Sequence, residues 1–157
     1  FFNKLMRGAG SETKEIHPVI QAAYHLAQSK TGALIVLANQ SDLSFYESTG
    51  DKIDAALSAR LIENIFFKNS PLHDGAVIIE GNKIKAARCV LPVTEQEDLP
   101  AHYGMRHRAA IGVTESSDCV AISVSEETGK VSLAKGGAIF PNLTREEMEK
   151  LMEEYYK

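Results

Sequence analysis

At 157 residues the chain suits one domain, since about 150 residues bury roughly 68–70% of their unfolded surface without metal or disulfide staples. It is 44% apolar and 24% charged with a net charge of −4, an ordinary soluble composition that excludes a broad basic face for general nucleic-acid binding. Its longest apolar run, Ala33–Ala38, is far below the ~18–20 residues of a membrane helix, and Cys89 and Cys119 form no CxxC pair or zinc spacing, which predicts reduced thiols.

Residues 1–14 lack periodicity and carry Gly8, Gly10 and Ser11, so they read as a linker or the remnant of an upstream segment. Residues 15–157 then form a single domain. Ile16, Val19, Ile20, Ala23 and Ala27 recur at helical spacing and predict an amphipathic helix. Pro18 fits its first turn and Gly32 its stop. Ala33–Ala38 is continuous and apolar, a strand covered on both faces. Asn39 to Asp51 reads as a polar loop, resting Phe45 and Tyr46 on the body. Leu57, Leu61, Ile62, Ile65 and Phe66 trace a second helix, with Ser58 as its N-cap. Pro71 ends it, because the residue before proline avoids the helical region.

Ala76–Glu80 and Ile84–Leu91 flank Gly81-Asn82 as a hairpin. Pro92 to Tyr103 is a long acidic loop carrying Glu95, Glu97 and Asp98. A short helix over Arg106–Val113 leads to two strands, Cys119–Val124 and Lys130–Ala134. The polar turn Ser125-Glu126-Glu127-Thr128-Gly129 joins them, and Gly136-Gly137 marks a bend. The last helix opens on a capping box, Thr144 with Glu147, and shows the stripe Met148, Leu151, Met152 and Tyr155. Hairpins mixed with helices predict an α/β (α+β) fold with one mixed or largely antiparallel sheet and helices packed on it.

Two stretches carry chemistry. Asp74 stands at the mouth of an apolar strand, where a carboxylate takes a proton from a hydroxyl or holds a divalent cation. Gly75 beside it lets a ligand approach the backbone, although Asp-Gly is also among the commonest turn dipeptides. Arg106-His107-Arg108 opens a helix, where guanidinium forks and amide N–H groups grip phosphate. Positions i and i+2 diverge on a regular helix, so both arginines face one ligand only at its first turn. His73 suits a metal through a neutral ring nitrogen or serves as a structural hydrogen-bonder. Ser125 and Glu127 read by themselves as solvated turn residues. No P-loop and no G-x-G-x-x-G motif occurs.

Leu72-His73-Asp74-Gly75-Ala76, followed by Gly104-Met105-Arg106-His107-Arg108-Ala109-Ala110, resembles the diadenylate cyclase domain, a family known by its DGA and RHR motifs. The likeness runs from about Ile16 to Gly137, including the Ser125–Gly129 turn and Leu133-Ala134-Lys135-Gly136-Gly137. It is similar above all to the membrane-anchored bacterial subgroup. That implies a cytoplasmic domain following transmembrane helices outside the present sequence.

The resemblance implies a central mixed sheet surrounded by helices. It implies a nucleotidyltransferase that condenses two ATP into cyclic di-AMP and two pyrophosphates with Mg²⁺, Mn²⁺ or Co²⁺. It also implies a face-to-face homodimer and admits a regulatory protein partner. Residue by residue, Asp74 is implied near the ribose 3′-hydroxyl and the metal, as base or metal-positioning acid, with His73 a second metal contact. Arg106, His107 and Arg108 are implied to hold phosphates. Gly75, Ala76 and the Leu91 backbone are implied at the nucleoside, and Ser125 and Glu127 near ribose and phosphates. Met105 stands in the implied ATP-binding set where the family often has threonine, and Val90 where relatives can carry an adenine-stacking tyrosine. Those two departures leave one rival reading, a nucleotide-binding sensor that no longer cyclises.

Overall fold

The computed structural model describes residues 15–156, so the expected linker over 1–14 lies outside the described residues. A run of six apolar side chains is satisfied only where both faces are covered. Accordingly β1 (Ala33–Ala38) is buried at every position and lies in the middle of a seven-stranded sheet ordered β2-β4-β3-β1-β5-β6-β7. The other strands are β2 (Asp51–Ala56), β3 (Ala76–Glu80), β4 (Lys83–Cys89), β5 (Val120–Val124), β6 (Val131–Lys135) and β7 (Ala138–Phe140). β1 runs parallel to β3, with Ile35 opposite Val77, and antiparallel to β5, with Ile35 opposite Ile122. The remaining pairings described are antiparallel, so the sheet is mixed and largely antiparallel, as expected.

Among the described residues five helices cover it: α1 (His17–Gln28), α2 (Ser44–Glu47), α3 (Ala59–Phe66), α4 (Met105–Glu115) and α5 (Arg145–Tyr155). Alternation along the strands divides the core in two. Ile35, Leu37, Val77, Ile79 and Ile122 pack with Val19 and Ile20 of α1, Phe66 of α3, and Met148 and Met152 of α5. Leu34, Val36, Ile78, Ala121 and Ala134 pack with Ala109, Ala110 and Val113 of α4. Burying a side chain such as Phe66 stabilises the first cluster by about 1.5–3 kcal/mol.

The expected caps form. Ser58 Oγ accepts from the Leu61 N–H at 3.2 Å. The Thr144 N–H donates to Glu147 Oε1 at 2.8 Å and the Glu147 N–H to Thr144 Oγ1 at 3.1 Å, closing the capping box. Both cysteines are free and buried. Several expectations change. Gly32 does not stop α1: Lys30 takes the left-handed conformation at φ 51°. The Lys30 and Thr31 N–H groups donate to the Ala27 and Leu26 carbonyls, a Schellman closure two residues earlier.

Asp51–Ala56 is an edge strand, β2, whose partly exposed positions lack the apolar alternation that would predict it. β7 is the opposite edge, three residues long. β4 ends at Cys89, short of Leu91. On α5 the buried residues are Met148 and Met152, followed by Tyr156. Leu151 and Tyr155 pack partly buried against the same core, so the expected stripe holds, and the Tyr155 ring also stacks on Phe140 with centroids 5.8 Å apart.

Candidate active site

Strand direction assembles the site. β1 and β3 begin at the edge of the sheet where their antiparallel neighbours β5 and β4 end. That edge therefore collects Gly32, Asp74 with Gly75, Cys89 to Leu91, and Ser125. The first turn of α4, lying over the same side, completes it. Gly75 has φ +88°, and a Cβ there would stand 2.7 Å from the Cys89 carbonyl oxygen. Glycine is thus required for the turn and for the close approach of β4, which is a demand of the protein itself.

Asp74 is exposed and lines a cavity of about 340 Å³ with Gly75, Arg88, Leu91, Met105 and Arg106. Val90, Val93 and Met105 form its apolar rim, exposed to 65%, 39% and 68%. The two positions that depart from the family pattern, Val90 and Met105, therefore lie on one cavity. Leu91 is nearly buried, and the Val90 N–H donates to Thr49 Oγ1 at 2.8 Å. Ala76 is wholly buried in the core shared with α4 and acts there as a packing residue.

A second cavity of about 200 Å³ lies between the α4 N-terminus and the β5–β6 turn, lined by Arg106, His107, Ser125, Glu126 and Glu127. Gly104 offers α4 no side-chain cap, so the amide groups of its first turn are available to an anion. Ser125 Oγ accepts from the Glu127 and Thr128 N–H groups, each at 3.2 Å, which leaves its hydroxyl proton to donate outward. The turn is ordered as an ordinary turn, and it also walls a cavity. Burial, with His102 nearby, holds His107 below the usual histidine range. Its ring stacks on Tyr103 at 4.6 Å and an interplanar angle of 14°.

A third cavity of about 310 Å³ contains Lys30, Gly32, Lys68, His73, Arg106 and Glu126. His73 Nδ1 is 2.7 Å from the Ser70 carbonyl. A donor is needed there, which fixes the tautomer and leaves Nε2 with its lone pair. The two arginines part company. Arg106 walls all three cavities, and its Nη1 is 3.6 Å from Glu126 Oε1. Arg108 lines none of them; its Nε donates to the Tyr103 carbonyl at 3.3 Å.

Among the described residues no group of three or more His, Cys, Asp and Glu could hold a metal by itself. Asp74 and His73 line neighbouring cavities that share Arg106; the Asp74 carboxylate offers the oxygen donors a hard divalent cation takes, and His73 Nε2 a nitrogen donor. Lys30, Gly32, Lys68, Arg88 and Glu126 also line these cavities, and no motif in the sequence assigns them a site role. Two of them are non-glycine residues at positive φ, Lys30 at 51° and Arg88 at 57°, and Arg88 stands on β4 beside an irregular register. Its Nε donates to Asp51 Oδ2 at 2.8 Å, on the edge strand that was not foreseen.

Residues 20–139 match the family described as DisA bacterial checkpoint controller nucleotide-binding. The chain is 42% identical over 137 residues to the diadenylate cyclase of Listeria monocytogenes serotype 1/2a strain 10403S, covering 87% of this chain and 50% of that protein. It is 40% identical over 147 residues to the cyclic di-AMP synthase CdaA of Bacillus subtilis strain 168, covering 94% and 54%. It thus spans about half the length of these relatives. The fold matches a crystal structure of a double mutant of DacA from Staphylococcus aureus, with TM-score 0.87, 39% identity and coverage of 90% and 94%. A crystal structure of a hypothetical membrane spanning protein from Bacillus cereus matches with TM-score 0.81, 40% identity and coverage of 84% and 65%.

Proposed function

Because the chain belongs to the DisA-type nucleotide-binding family, the diadenylate cyclase domain, we propose that it condenses two ATP into cyclic di-AMP and two pyrophosphates. One observation carries this reading: Arg106 is the wall common to the cavity holding Asp74 and the cavity between α4 and Ser125. A nucleotide whose nucleoside occupies the first and whose phosphates reach the second passes that guanidinium. The names of these relatives, diadenylate cyclase and cyclic di-AMP synthase, support it.

Adenine and ribose lie against Gly75, the Leu91 backbone and the apolar rim of Val90, Val93 and Met105. Arg106, His107, the first amides of α4 and the Ser125 hydroxyl hold the phosphates, with Glu127 beside them. Arg108 lines none of the three cavities and secures the loop at the Tyr103 carbonyl through Nε, which leaves its Nη groups for a phosphate oxygen. Asp74 orients the ribose 3′-hydroxyl and takes its proton as the 3′-oxygen bonds to the α-phosphorus of the other ATP. The α-phosphorus–oxygen bond to the β-phosphate breaks, and pyrophosphate leaves with that electron pair. A divalent cation, Mg²⁺, Mn²⁺ or Co²⁺, neutralises phosphate charge when bound, and His73 and Asp74 are its protein ligands. The protein's share is positioning and charge stabilisation.

One set of Asp74 and Arg106-His107-Arg108 serves one ATP, so the second arrives on another copy, face to face. Association of the isolated domain is weak, since the chain has no heptad seam. In the whole protein a preceding membrane segment places the domain on the cytoplasmic side, open to a regulatory partner. The test is incubation with ATP and Mn²⁺ over a hundredfold range of protein concentration, with the cyclic dinucleotide measured by mass spectrometry. Turnover per molecule rises with concentration as the dimer fills, by mass action. A flat turnover from a species that stays monomeric by light scattering refutes the face-to-face arrangement. ATP binding without any cyclic product leaves the sensor reading.

A further inference from the structure

Gly32 immediately precedes β1 and is buried. Nothing in its own backbone calls for glycine. The glycines at positive φ are Gly75, Gly81, Gly129, Gly136 and Gly137, and the helix stop it was expected to supply is made by Lys30 and Thr31. The requirement lies in what stands over it. A Cβ at Gly32 would lie 2.6 Å from Arg106 Cζ, 2.6 Å from Nη1 and 3.0 Å from Nη2, and these are its nearest atoms. The space left by the missing side chain is filled by one guanidinium.

The Arg106 side chain is only 26% exposed, its guanidinium faces Glu126 on another side, and the residue borders three cavities. The guanidinium is also the far end of a flexible side chain. A methyl group at position 32 therefore shifts Arg106 instead of breaking the fold. Fork-shaped hydrogen bonding to phosphate depends on where the plane lies, and a misplacement of about 1 Å can cost roughly a hundredfold in a reaction.

We infer that Gly32 is a positioning residue: its bare backbone is the seat that holds the Arg106 guanidinium at the junction of the three cavities. The inference rests on the phosphate role proposed for Arg106. It accounts for a buried glycine whose conformation any residue could adopt.

The experiment is a double-mutant cycle on the full chain with Gly32→Ala, Arg106→Ala and the pair. ATP and tripolyphosphate are titrated by calorimetry, and melting is followed in parallel. Gly32→Ala is expected to weaken ATP binding about tenfold, the low end of what losing a charge-assisted hydrogen bond does. Its melting temperature stays level or rises, because alanine restricts the unfolded chain more than glycine. In the Arg106→Ala background the same change alters affinity less than about twofold, since the two act as one unit. Unchanged affinity in Gly32→Ala overturns the seat, as does an equal loss with Arg106 already removed or a large drop in melting temperature. Wild-type protein that binds neither ATP nor tripolyphosphate overturns the phosphate reading and the seat with it.

Discussion

The two faces of the sheet are built from different residues. Under α1, α3 and α5 the core is mostly Ile, Leu, Val, Phe and Met, with four alanines among its buried residues. Under α4 it contains Ala38, Ala76, Ala86, Ala109, Ala110, Ala121 and Ala134 with two cysteines. Bulky, branched side chains bury more area and contribute more stability per residue. Small ones contribute less but let a helix axis approach the sheet closely, which brings the α4 first turn down to the strand ends where Asp74 and Ser125 stand. One face therefore holds the fold, and the other holds the geometry of the site. Damage on the first should appear as melting, and damage at the edge of the second as lost chemistry.

The sharpest separation is expected from Asp74→Asn. Turnover should fall roughly 10²–10⁴-fold, the scale for a positioned acid–base group, while melting barely moves because Asp74 is exposed. Steady-state kinetics at saturating Mn²⁺ beside a thermal melt checks this. Retention of most of the activity removes the assigned role.

Ile62→Ala is the converse. It empties a fully buried site on the three-helix face and should cost about 2–5 kcal/mol in urea unfolding. The fraction still folded should bind ATP normally; a matching loss of affinity in the folded fraction would dissolve the division between the faces.

Next in size is the split between the two arginines. Arg106→Ala should weaken ATP roughly 10–150-fold, as expected for hydrogen bonds to a charged group, with only partial rescue by lysine, which lacks the fork. Arg108→Ala should cost less than about tenfold, since its Nε is engaged with the Tyr103 carbonyl. Calorimetry giving equal losses would mean that both guanidinium groups meet the phosphates in the same way. The smallest effect belongs to the capping box: Thr144→Ala should cost about 1 kcal/mol, with ATP affinity unchanged.

What could be read in advance was local. β1 was legible because six apolar residues in a row admit only a strand covered on both sides. The capping box of α5 and the Ser58 cap were legible because each acts within one turn of chain. Asp74, Gly75 and the arginine pair were legible by residue type and by their order. The split between Arg106 and Arg108 was not: both stand in the first turn of α4, where the sequence lets them face one ligand, yet of the two only Arg106 lines the cavities.

Tertiary structure decided the rest. β2 and β7 exist because a neighbouring strand offers hydrogen bonds at each edge of the sheet, and their own sequences carry little apolar alternation to announce it. Gly32 looks like a helix stop in sequence and is instead the floor beneath a guanidinium 74 positions away, a contact no local pattern encodes. Lys30, Lys68 and Glu126 join Arg106 only because β1, the segment before β3 and the β5–β6 turn meet at one edge of the sheet. Residue chemistry and short-range periodicity lie in the chain itself. Which groups share a cavity depends on strand order and direction, which arise from burying both faces of one sheet at once.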